Sequence, residues 1–116
     1  MLLNFTNHPS NYWPDAQKQA AIEQFEEIQD LPFPNVDPNA TAGEVRQLAK
    51  EYESKIRKID PTAVHIMGEL NFTFCLVEGL KALGYPCYAS TSRRKVAYDE
   101  EGNKVSSFQF VQFRSY

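Results

Sequence analysis

Two cysteines, two histidines, two methionines and a single tryptophan are all that the 116 residues hold of those types, and positive charge is not in excess. Cys75 and Cys87 have no C-x-x-C spacing and sit among apolar neighbours, which excludes a disulfide framework and a structural zinc site and marks both as buried free thiols. His8 and His65 have no close carboxylate pair beside them, so the sequence offers no dedicated metal site and implies no cofactor. Twelve basic against fifteen acidic residues leave a net charge of -3, too weak a positive field for duplex nucleic acid. Any polyanion recognised must be small and held locally. No apolar run approaches a membrane span. The opening Met1-Leu2-Leu3-Asn4-Phe5 lacks the basic segment and long apolar stretch of a signal peptide, so a cytoplasmic protein without a membrane partner is expected. Neither a G-x-S-x-G elbow, a Walker loop nor G-x-G-x-x-G is present.

What is present is enough apolar residue, 42%, for the core of one domain spanning 1–116. Leu2-Leu3-Asn4-Phe5, stopped by Thr6-Asn7-His8-Pro9-Ser10, reads as a buried strand opening into a loop. A helix follows, with Pro14 at its first position and Ala16, Ala20, Ala21, Phe25 and Ile28 on one face. Glu27 to Leu31 reads as a second strand, and Pro32 to Pro38 as a stiff loop. Thr41 with Glu44 forms a capping box, after which Val45, Leu48, Ala49, Tyr52, Ile56 and Ile59 recur at helical spacing.

Thr62 to Met67 is β-branched and apolar without polar alternation, as in a strand covered on both faces. After Gly68 a third helix runs from Asn71 to Leu83, with Gly84 as its stop. Phe74 and Val77 give that helix a second apolar face. Cys87-Tyr88-Ala89 is a fourth strand ending in Ser90-Thr91-Ser92-Arg93-Arg94, and Lys95–Tyr98 with Ser107–Phe113 form a terminal hairpin. The order predicts an α/β domain of Rossmann-like type, a mostly parallel sheet flanked by helices with a C-terminal antiparallel β-hairpin.

In such sheets ligands gather beyond the carboxyl ends of the strands. Asn7, His8 and Ser10 follow the first strand; Gly68, Glu69 and Asn71 follow the third; Ser90, Thr91, Ser92 and Arg93 follow the fourth. Hydroxyls and a guanidinium suit a phosphate or phosphodiester. A glycine between strand and helix lets backbone N–H groups approach an anion, with a plain capping turn at Asn71 as the alternative. His8, stiffened by Pro9, is placed for proton transfer near neutral pH. His65, inside an apolar strand, reads as a satisfied core histidine. Phe108, Phe110 and Phe113 serve either a stacking platform or sheet packing.

Asn4-Phe5-Thr6-Asn7-His8-Pro9, Val64-His65-Ile66-Met67-Gly68-Glu69 and Ser90-Thr91-Ser92-Arg93 together resemble the small stand-alone CRISPR-associated proteins of Rossmann-like fold, the CARF-type sensors and ring nucleases of antiviral defence. The resemblance implies a homodimer that binds a cyclic oligoadenylate across its two-fold axis and cleaves it without metal by 2′-hydroxyl attack. By position it implies catalytic roles for His8 and Arg93, with Asn7, Ser10, Gly68, Glu69, Asn71, Ser90, Thr91 and Ser92 binding the nucleotide. The first loop lacks a basic residue, which leaves a non-catalytic binder or a protein-interaction subunit as alternatives.

Overall fold

The computed structural model describes residues 1–116. Five strands, β1 (Leu2–Thr6), β2 (Ile28–Asp30), β3 (Ala63–Met67), β4 (Cys87–Tyr98) and β5 (Lys104–Ser115), form one sheet in the order β2-β1-β3-β4-β5. The pairs β1–β2, β1–β3 and β3–β4 are parallel, and β4–β5 is antiparallel. Helices α1 (Asp15–Phe25), α2 (Ala42–Ile59) and α3 (Leu70–Ala82) make the connections. This is the mixed α/β architecture expected, a mostly parallel sheet closed by a C-terminal antiparallel hairpin. No helix is long and apolar enough to cross a membrane.

Alternation along the central strands sorts the two faces. Leu3, Phe5, Val64 and Ile66 pack with Val45, Ala49 and Ile56 of α2 and Phe72, Leu76 and Leu80 of α3. The opposite side chains, Leu2 and Ala63, join Ala21 of α1, Trp13 and Phe113 in a smaller cluster. α2 is built as its sequence dictates: Thr41 Oγ1 accepts from Glu44 N–H at 3.2 Å, and the Glu44 carboxylate accepts from Thr41 N–H at 3.1 Å. At its other end Asp60 takes a left-handed φ of 53° and Pro61 follows.

Three local expectations change. Pro14 is the residue before α1, in extended conformation, and Ile28 belongs to β2, because Glu26 at φ 70° ends the helix. Val77 does not supply a wet second face to α3; it is 8% exposed within the core, while Phe74 and Leu70 remain open. The chain does not leave the sheet at Ala89. It continues as one strand through Ser90–Arg94 to Tyr98, with β5 opposite it along the whole length. The far part of this ribbon is exposed on both faces, so nothing demands apolar residues there. The ribbon also accounts for a radius of gyration of 16.1 Å, where a compact chain of this length has about 13 Å.

Candidate functional site

The face of the sheet that carries α1 changes character along its strands. Leu2 is followed on that face by Asn4 and Thr6, Ala63 by His65 and Met67, and Tyr88 by Ser90 and Ser92. Apolar side chains therefore occupy the amino ends and, Met67 apart, polar ones the carboxyl ends. A cavity of about 660 Å³ opens over the polar half. Its floor is Thr6, His65 and Met67; Gly68, Ser90 and Ser92 form one wall, and Asn7, His8, Pro9, Tyr12, Trp13 and Gln17 the other. That volume is typical of small-molecule sites. Thr6, Asn7 and Pro9 also border a neighbouring hollow of about 240 Å³ that reaches Asp30 and Phe33.

One side-chain network holds the wall formed by the first loop. Asn4, 1% exposed, donates both amide protons, to Asp30 Oδ1 and to the His8 carbonyl, each at 2.8 Å. The His8 carbonyl also accepts from Trp13 Nε1 at 3.0 Å, and His8 N–H donates to Thr6 Oγ1 at 3.1 Å. The backbone at His8 is thus pinned from three sides, while its imidazole stays exposed at the cavity's edge. Asp30 is completed by Ser10, whose N–H and hydroxyl reach it at 3.1 and 2.8 Å.

Of the residues singled out in the sequence, Asn7, His8, Gly68, Ser90 and Ser92 line the cavity, and Ser10, Glu69, Asn71, Thr91 and Arg93 do not. Ser10 is occupied with Asp30. Glu69 caps α3, accepting from Asn71 N–H at 3.0 Å and Phe72 N–H at 2.9 Å. The chain's own carboxylate therefore fills the place at this helix N-terminus where an external anion was expected, and Asn71 is not the cap. Gly68 has a different purpose: a Cβ there would collide with the Phe33 ring, which lies directly against it. Thr91 and Arg93 alternate with Ser90 and Ser92 and so face the other side of the sheet; Thr91 Oγ1 donates to the Gln112 carbonyl at 3.3 Å. The guanidinium on the cavity's side of the ribbon is that of Arg94, which donates to Ser106 Oγ at 3.0 Å.

Sequence reasoning missed Trp13 and Gln17, both buried, and Tyr12, which is exposed at the rim. Gln17 carried a signal, since it lies four residues before Ala21 on the inward face of α1. A register shift between Thr91 and Ser92 sets Phe113 opposite Ser90 and Phe110 opposite Ser92. It places Phe110 and Phe113 on one face despite their odd spacing. Phe113 is buried against Trp13 and Phe25, so it packs the sheet, whereas Phe108 is exposed.

The thiols take no part. Cys87 is buried and its thiol is pushed up to about 11 by desolvation, while Cys75 is half-buried. No three His, Cys, Asp or Glu side chains gather closely enough to hold a metal ion.

Fold and cavity together define a small α/β domain with a polar pocket at the carboxyl ends of a parallel sheet. The chain belongs to the uncharacterized protein MJ1673 family, whose model matches residues 1–114. No curated protein matches it.

Proposed function

We propose that the chain is a CRISPR-associated, cytoplasmic nucleotide-binding protein of CARF type, which binds a cyclic oligoadenylate in this cavity across a homodimer and cleaves it as a ring nuclease. The observation that carries the reading is the composition of the cavity. Serine and threonine hydroxyls line it beside the exposed ring of Tyr12, which supplies hydrogen-bonding groups for ribose and phosphate next to a surface on which a base can stack. The resemblance of the loop and strand-end motifs supports it.

In this reading the 2′-hydroxyl attacks the adjacent phosphorus, the 5′-oxygen leaves, and the product carries a 2′,3′-cyclic phosphate. Positioning and charge stabilisation do most of the work. His8, exposed on a backbone held from three sides, is the acid or base, and Ser90 and Ser92 position the ring. The resemblance implies a catalytic role for Arg93, to stabilise the phosphorane, but its side chain faces away from the cavity. Arg94 projects on the cavity's side of the ribbon, just beyond the lining residues, where it donates to Ser106 Oγ. Arg94 therefore takes that role here. Incubation of the purified chain with cyclic tri-, tetra- and hexa-adenylate, analysed by mass spectrometry, should yield linear adenylates ending in a 2′,3′-cyclic phosphate from one of the three. Ligand recovered intact with the protein would reduce the reading to a binder, and no binding by any ring would overturn it.

A further inference from the structure

His65 is a buried polar group with one ring nitrogen left unpartnered. It is 2% exposed, it lies on the cavity floor, and its Nε2 has no hydrogen-bond partner. A satisfied core histidine would use both ring nitrogens. Its Nδ1 is 3.0 Å from Asn4 Oδ1. Chemistry fixes which atom of Asn4 that is. The other end of the carboxamide faces the Asp30 carboxylate and the His8 carbonyl, which only accept, so the NH₂ must point there and the oxygen toward His65. Asn4 Oδ1 accepts, so His65 carries its proton on Nδ1 and keeps a lone pair on Nε2. Asp30, Asn4 and His65 thus form a hydrogen-bonded row that ends in one free acceptor.

Burial, with a smaller contribution from His8, pushes the imidazole down to about 4, so the ring is neutral at physiological pH. A buried acceptor without a donor is costly, and the surroundings do not provide one. Trp13 and Phe113 meet the ring edge-on, both at 5.3 Å between centroids. The Trp13 N–H is committed to the His8 carbonyl.

We propose that His65 Nε2 is the ligand-recognition acceptor of the cavity, receiving a hydrogen bond from a hydroxyl or amino donor of a nucleoside, with the Trp13 indole shifting slightly to admit it. The assignment rests on the reading of this cavity as a nucleotide site, but not on the ligand being cyclic or being cleaved. It also gives the site a selectivity that hydroxyls alone lack: an uncharged acceptor favours donor groups of sugar or base and disfavours phosphate oxygens.

Nitrogen-15 NMR of the wild-type chain labelled at histidine tests this without any substitution. In the free protein His65 should be the Nδ1–H tautomer, and the Nε2–H tautomer would overturn the proposal. Adenosine and cyclic tetra-adenylate are then titrated separately, with inorganic phosphate as control. A shift of the His65 Nε2 resonance toward that of a hydrogen-bonded acceptor is expected with the nucleosides and not with phosphate. A shift with adenosine alone supports the proposal and counts against the cyclic ligand. Binding of the cyclic ligand with Nε2 unmoved would overturn the His65 assignment and leave the cyclic reading standing. If no nucleoside moves Nε2, the assignment fails. In a folded His65→Phe variant, nucleoside affinity should fall about tenfold, the loss of one neutral hydrogen bond.

Discussion

Single residues set the shape of the cavity through contacts that have little to do with their chemistry. Gly68 lies under the Phe33 ring, which also packs tilted on Phe5 at 5.0 Å and edge-on to Phe72 at 5.3 Å between centroids. The ring is anchored by the core and has little room to retreat. Gly68→Ala should therefore destabilise the protein by about 1–3 kcal/mol, the usual cost of overpacking, as read from the denaturant midpoint. An unchanged midpoint would mean that Phe33 is free to swing away. His65 leads to a pH dependence. Its imidazole lies at about 4 in the folded chain against the ordinary 6.5, so the unfolded chain binds a proton more readily between those values. The stability it contributes is complete above pH 6.5 and is lost as the pH falls toward 4. The loss is on the order of 3 kcal/mol at most. Stability curves should show this slope in the wild type, and His65→Gln should remove most of it.

Elements show how far the sequence could be read. The capping box at Thr41 and Glu44 and the apolar spacing from Val45 to Ile59 define α2 unaided, because a helix announces itself by local periodicity and a local cap. β1 and β3 are equally plain, since strands buried on both faces are short, mostly apolar runs without strict alternation. The stretch Ser90–Arg94 is not. Its side chains are polar on both faces, and its strand conformation comes from pairing with Phe113 to Phe108 across a bulge that no local signal marks. That bulge decides which face each aromatic of β5 takes. At the site, Asn7, His8, Gly68, Ser90 and Ser92 were legible because the carboxyl-end rule needs only strand order. Trp13 and Gln17 were not, since their inward direction depends on how α1 packs. His65 was legible as buried, but its free Nε2 depends on which way the distant Asn4 faces.

The ribbon's far half has no third strand and no buried face, so it should open far more readily than the sheet centre. Amide hydrogen exchange should be slowest in Leu3–Phe5 and Val64–Ile66 and much faster in Lys95–Tyr98 and Val105–Phe108. Comparable protection in the two regions of the free chain at low concentration would show that the isolated ribbon is stabler than its packing implies.

Across the whole molecule, the parallel strands, α1 and the root of the ribbon converge on one pocket, and the lone tryptophan stands in its wall. Trp13 is 5% exposed and within one aromatic cluster with His65 and Phe113, so any ligand seated over the polar strand ends must alter its surroundings. Titration of the wild-type chain with cyclic tri-, tetra- and hexa-adenylate, followed by tryptophan fluorescence, reads that pocket alone. A saturable change with at least one ring, absent with inorganic phosphate, is expected. A fluorescence spectrum unmoved by all three rings at concentrations up to the millimolar range would contradict the assignment of this cavity to a cyclic oligoadenylate.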